Sequence, residues 1–443
     1  MTRIQHRRGT TAEWTAADPV LAAGELGFET DTGRHKIGEG TARWSTLPYF
    51  LAENALSTWA EDQDRLLARV APIRVSRRAD RLLTNTAVGF VDWNNIGRIE
   101  QTTERKAGAG SVAIITPDGS ADMAIALREF DPVDMSSQHL KIWLRVSSWG
   151  DLGRAQIRVH STYNDFFYLN VGDRLARPAR VDGEWVELVL PRSAFDSRQG
   201  SPTWGSVTCL ALTAWSPVGT SVTVLANEAV LIPDAAAGVV TLSFDDGWAS
   251  QFRAAQIMDE HGWPGTAYVI ENRIGTDGYL TAAQVDDLHD RGWDIGGHDS
   301  VPLRGLTDEQ LLDRVSRSAQ WLRQRNYRGR QHYAYPNGSV DDRVVGVVRR
   351  YFATGRTIDP MNQSLSWVQE HRLAGVSVYA EQDDAEVRGL VDAAVANGEW
   401  ANIVFHKIGD EGDDISWTEA RFRAFLEYVA GSGATVQPVG AVL

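Results

Sequence analysis

The chain has 443 residues, 43% of them apolar, a formal net charge of −14 and one cysteine. That length exceeds one ordinary domain and predicts two or three. The acidic balance argues against a nucleic-acid partner, no apolar run approaches a membrane span, and a lone Cys209 leaves no intrachain disulfide.

Residues 1–50 read as short β pieces broken by glycines, with ETDTGRHKIGEG as strand, Asp-Thr-Gly turn, strand. So few large apolar side chains cannot bury a core alone, so this segment is expected to associate with copies of itself or dock on a partner. The opening MTRIQHRRGTTAEW carries no apolar signal core. Residues 51–79 are a linker with a helix over 51–72, where Leu56, Trp59, Leu66 and Val70 form an apolar stripe. Residues 80–235 are all-β: runs such as LKIWLRVSS, WVELVLP and VTCLALTAW, separated by Gly, Pro, Asp and Ser turns, predict a jelly-roll-like sandwich. Cys209 lies inside the last of these runs, as a buried strand thiol. Available to stack on sugar are Trp143, Trp149, Tyr163, Phe166, Phe167, Tyr168 and Trp204, and most aromatics on strands are core. From 238 to 443 the pattern changes to strand–helix repeats (VVTLSF, TAYVI, WDIGGH, HYAYP and WANIVF, each followed by a helix), which predicts a distorted (β/α) barrel with its chemistry at the C-terminal strand ends.

VVTLSFDDGW delivers two adjacent carboxylates, Asp245 and Asp246, to a strand end. Neighbouring carboxylates repel unless a cation or proton lies between them, so one is expected to hold a metal and the other to accept a proton. His298 closes WDIGGH, His406 closes WANIVF, and HYAYPNG ends at a Pro336-Asn337-Gly338 turn. Four strand ends would place these groups on one rim, whereas each alone has a plain structural explanation.

FDDG, D-I-G-x-H about fifty residues later, Y-A-Y-P-x-G and a late V-F-H resemble the NodB-homology polysaccharide deacetylases, the family-four carbohydrate esterases. The resemblance spans about 200 residues in order. It implies Asp245 as general base, Asp246 and His298 as ligands of Zn²⁺ or a similar divalent metal, His406 as general acid and the Asn337 N–H as an oxyanion donor. It also places Trp248, Tyr335 and Pro336 beside the substrate. Where the family's second metal-binding His is expected stands Pro302, so Asp299 is taken as the replacement ligand, with His332 as the alternative. Ala334 stands where many members carry an Arg that pairs with the base, and Arg330 is nearby. Asp359 is the candidate to orient His406.

The first fifty residues, with R-R-G-T, G-E-L-G-F-E-T-D-T-G, K-I-G-E-G and L-P-Y, are similar to the N-terminal repeat of phage receptor-binding tail proteins, including the major tropism determinant. That resemblance implies a virion tail location, other tail proteins as partners and a homotrimer. Forty arginines against four lysines add a GC-rich source. The combined expectation is a phage minor tail protein that engages host-envelope glycan and removes acetyl groups with a divalent metal. Its rival is a degraded deacetylase domain that only binds glycan or receptor, and the argument for the rival is Pro302.

Overall fold

The computed structural model describes residues 7–32, 34–47, 49, 81–84, 88–118, 122–409 and 412–443. The chain divides into two compact units, Met1–Ala71 and Pro72–Leu443. The helix expected over 51–72 lies outside the described residues.

In the first unit, strands Leu26–Glu29 and His35–Ile37 pair antiparallel, with Asp31 and Thr32 in a turn between them, and Arg7–Gly9 pairs parallel with Leu26–Glu29. A helix at Thr11–Ala17, which sequence patterning did not show, starts at a reciprocal capping box between Thr10 and Glu13. Its Trp14 stacks on Trp44 at 4.1 Å, and with Leu21 and Leu47 they make up the buried apolar cluster of this unit.

The second unit begins as two six-stranded antiparallel sheets. One runs in the order Ser197–Gln199, Phe166–Asn170, Arg154–His160, Val207–Trp215, Ala124–Val133 and Val91–Asp92. The other is centred on Gln138–Val146 and Thr223–Pro233. Inward residues of both, among them Ile142, Leu144, Ile157, Leu210 and Leu212, share one core, as in a sandwich.

After Gly238 the chain builds a second kind of sheet. Strands Thr354–Arg356, His332–Ala334, Asp294–Gly297, Thr266–Val269, Val239–Asp246 and Glu399–Phe405 lie side by side in that order, all parallel, and Gln363–Ser364 adds an antiparallel edge. Helices Ser250–Asp259, Ala282–Asp290, Asp308–Gln324, Asp342–Tyr351, Asp384–Asn397 and Glu419–Ser432 alternate with the strands. Phe244 at the centre packs on Trp293 and Phe405, with ring centroids 5.2 and 5.6 Å apart. These strands make a half barrel. Its gap is spanned by a short segment in which Leu373 bridges Arg356 of one edge strand and Val376–Ser377 pairs parallel with Glu399–Phe405, so the sheet approaches the expected distorted barrel.

The sandwich and the half barrel are parts of one compact unit. Ser193 Oγ donates to Glu399 Oε2 at 2.6 Å, the Ala176 N–H to Asp359 Oδ1 at 2.8 Å, and Arg192 Nη2 to Asn397 Oδ1 at 3.1 Å. Lys141 of the sandwich lies 4.8 Å over the Trp367 ring. Glu399 and Asp359 are buried between the two parts, and burial raises both carboxyls above their ordinary range.

Candidate active site

Strand Val239–Asp246 ends in a conformational break: Asp246 has φ 73° and Gly247 φ 82°. Side chains alternate between faces along a regular strand, and the break lets two consecutive carboxylates serve one site. An aspartate in the left-handed region is uncommon, and such outliers concentrate at functional positions.

Asp245 is 4% exposed, and Arg356 Nη2 donates to both its oxygens at 2.5 and 2.6 Å. Arg356 is fully buried, and its guanidinium lies 5.1 Å from the Tyr268 ring centroid. The arginine missing at Ala334 is therefore supplied one strand over, since Ala334 and Arg356 are register partners in adjacent parallel strands. Arg330 does not provide it; its guanidinium donates to the Tyr327 carbonyl.

Asp246 Oδ1 lies 3.4 Å from His298 Nε2, and its Oδ2 accepts from Trp248 Nε1 at 2.9 Å. Burial pushes the Asp246 carboxyl up, but His298, His406 and Trp248 overcome it and hold it down to about 2. His298 Nδ1 is 2.8 Å from the Ala334 carbonyl, so Nδ1 carries a hydrogen and Nε2 is the nitrogen that faces Asp246. Burial lowers the His298 pKa, and Asp245, Asp246 and the Ala334 carbonyl together more than reverse it. Asp246 and His298 thus have the donor types and the ring orientation of a metal-binding pair.

The set stops at two. Pro302 opens a short 3-10 turn, and Asp299 Oδ1 accepts from the Ser300 N–H at 2.6 Å and from Arg314 Nη1 at 2.8 Å. Asp299, expected as the third ligand, is thereby a turn-capping carboxylate paired with arginine. His332 cannot replace it: it opens rather than closes its strand, and its Nδ1 lies 2.8 Å from Thr354 Oγ1. Among the described residues no group of three or more His, Cys, Asp or Glu side chains forms a metal cluster. The residues fit a cation held by two protein groups with water completing its sphere. They do not fit a zinc centre with three protein ligands.

His406 follows strand Glu399–Phe405, whose register partner is the strand of Asp245. Its ring lies 6.3 Å from that of Tyr379, and its Nδ1 is buried without a hydrogen-bond partner among the described residues. Asp359 does not orient it; its carboxylate accepts from Thr357 Oγ1 at 2.7 Å and from the Ala176 N–H. The main chains of Asp245 and His406 are joined by Gln251, a fully buried residue that sequence patterning missed. Its Nε2 donates to the Asp245 carbonyl at 2.5 Å and to the His406 carbonyl at 2.9 Å.

Trp248 stacks on Tyr279 at 4.5 Å and, half-buried, borders the carboxylates. Asn337 has φ 53° in the turn that follows strand His332–Ala334. Tyr335, expected beside substrate, is fully buried and donates its hydroxyl to the His371 carbonyl at 3.0 Å; Pro336 is buried as well. Tyr335 is a packing residue, because the period-two face that it shares with Tyr333 points into the helix-covered core.

Residues 233–354 match the family model for polysaccharide deacetylase. This segment is a polysaccharide deacetylase domain. Residues 4–42 match the major tropism determinant N-terminal domain. The chain is 47% identical over 47 residues to a "Hyaluronoglucosaminidase" of Streptococcus pyogenes phage H4489A, which is 11% of this chain and 13% of that protein. It is 24% identical over 125 residues to the "Putative polysaccharide deacetylase YxkH" of Bacillus subtilis (strain 168), or 27% of this chain and 45% of that one. The chain thus spans less than half the length of either relative. Among solved structures, the Xyl-CE4 domain of a multidomain xylanase from the hindgut metagenome of Trinervitermes trinervoides aligns with 46% of this chain and 89% of its own, at 13% identity and TM-score 0.33. Arg356 and His406 lie beyond the segment that the family model matches.

Proposed function

We propose that the deacetylase domain removes acetyl groups from a host-envelope glycan, and that the N-terminal module mounts the chain on a phage tail as a homotrimer. The observation that carries the chemical part is the convergence of Asp245, Asp246, His298 and His406 at neighbouring strand ends. In this reading Asp246 and His298 recruit a divalent cation, which supplies polarisation of the acetyl carbonyl. Asp245, fixed in orientation by Arg356, takes the proton of the attacking water. His406 delivers a proton to the leaving amine or alcohol, and the Asn337 N–H faces the developing oxyanion. Trp248 forms a wall for the sugar.

The test is acetate release from acetylated cell-wall glycans with added Zn²⁺, Co²⁺ or Mn²⁺. Asp246→Asn keeps the volume and removes the charge, so it should abolish release while the fold persists. A second reading, glycan binding without turnover, is favoured by Pro302 and by the engagement of Asp299 with Arg314. Wild-type protein that binds these glycans and releases no acetate with any of the three metals would establish it. The tail-mounting part is tested by light scattering: the full chain should have three times the monomer mass, and a chain beginning near Arg81 should be monomeric.

A further inference from the structure

One face of the sandwich departs from the pattern of its fold. Outward positions of a two-sheet sandwich are ordinarily polar and solvated, because only the inward positions meet the core. In strand Val207–Trp215 the inward positions are Leu210, Leu212 and Ala214, which belong to the shared core. The outward positions are Cys209 and Ala211, and other strands of the same sheet add Ile125 and Phe166. These four are 6%, 1%, 8% and 7% exposed. They form the floor of a cavity of about 440 Å³, a size that suits small ligands. Small side chains at its centre hollow the face.

Two exposed aromatics border this hollow. Trp93 and Tyr163 are 41% and 63% exposed, and their ring centroids lie 5.2 Å apart at 55°. Two polar groups of the cavity are under-used. Arg158 gives Nε and Nη2 to Gln156 Oε1 at 3.0 and 2.7 Å and lies 5.1 Å over the Phe166 ring, and no ion pair with a carboxylate holds it among the described residues. His160 is 7% exposed, with Nδ1 3.3 Å from the Thr162 carbonyl, and its Nε2 is buried with no partner among the described residues. Buried polar atoms are nearly always satisfied, so an orphan that lines a cavity points to a ligand atom.

We propose that this hollow is a second saccharide site, separate from the strand-end site, which seats a neutral sugar unit of the glycan chain. Trp93 and Tyr163 stack on the C–H face of the pyranose ring, and His160 and Arg158 take up its oxygens. A lipid tail or an apolar peptide would leave both polar groups without partners. A strongly acidic sugar is disfavoured because Glu129 shares the cavity with Arg158. The choice of a glycan rests on the proposed action of the deacetylase domain; the cavity itself does not depend on it.

The experiment is calorimetric titration of the full chain with tetramers of N-acetylglucosamine, glucose and xylose, alongside acetate release from an aryl acetate. At least one tetramer should bind wild type and Asp246→Asn equally. Its affinity should fall at least tenfold in Tyr163→Ala and in Trp93→Ala, with acetate release from the aryl ester unchanged in both. Each replaced side chain is exposed, and an unaltered melting temperature establishes that the fold is intact. Binding that is lost in Asp246→Asn and retained in Tyr163→Ala overturns the second site and leaves the deacetylase reading standing. So does failure of wild type to bind any of the three tetramers. Tetramer binding without acetate release from any substrate supports the second site and defeats the deacetylase reading alone.

Discussion

Arg356 holds a buried carboxylate in place and is itself buried, so each member of the pair depends on the other. Arg356→Gln should cost about 3–5 kcal/mol of stability, because it leaves Asp245 charged and unpaired. Adding Asp245→Asn should recover part of that loss, and denaturant titration of the single and double variants checks it. Acetate release in Arg356→Gln should fall by about 10²-fold or more as the base loses its orientation. The gap at Ala334 was visible in the sequence, but its filler was not. Arg356 sits in FATGRTID, a stretch with no motif, on a strand of three residues. Only the register of two parallel strands shows it to be the neighbour of Ala334. A different pH effect comes from Asp294, where burial pushes the carboxyl up to about 6. A raised carboxyl favours the protonated fold: its contribution is complete below the unfolded value near 4 and is lost as pH rises through 6. Wild type should therefore lose up to roughly 3 kcal/mol between pH 4 and pH 7 through this residue. Asp294→Asn should flatten that slope, as measured by urea denaturation at several pH values.

At the scale of elements, the apolar runs that end in Asp246, Ala334 and Phe405 were legible because parallel strands buried on both faces read as continuous hydrophobic stretches. Helix Asp384–Asn397 was not legible: its buried stripe is only Val387, Val391 and Ala394, and Gly389 interrupts it. Strand placement sets the site through close backbone approach. A Cβ on Gly297 would lie 2.7 Å from Ser318 Oγ, 2.9 Å from the Tyr333 ring and 3.0 Å from the Phe352 ring. Gly297→Ala should cost about 1–3 kcal/mol through overpacking. It should also displace His298, the next residue, so that acetate release falls more than stability alone explains. Comparing activity with the melting curve separates the two effects. Tyr335 shows the limit of strand-end reasoning. Position along a strand was readable, but whether that position faced pocket or core depended on helices packed from elsewhere.

At the scale of the whole chain, the sandwich, read from the sequence as a segment separate from 238–443, closes over Asp359 and Glu399 of the half barrel. A chain beginning at 238 loses the Ala176 N–H and the Ser193 hydroxyl that those carboxylates accept from. It should unfold at lower denaturant than a chain beginning near Arg81, and the gap should narrow toward neutral pH, because burial under the sandwich raises both carboxyls and uncovering them returns them to water.

That shared interface has a consequence for how long a polymer the molecule prefers. The sandwich hollow and the strand-end carboxylates belong to one compact body, with no tether between them, so the span from one to the other is a constant of the fold. A glycan too short to bridge it engages one place at a time. One long enough to bridge it makes its second contact at a high local concentration, set by the first. The molecule then acts as a gauge: kcat/KM for acetate release should climb with oligomer length to a threshold and level off beyond it. Tyr163→Ala should erase the threshold while leaving the rate on short oligomers as it was.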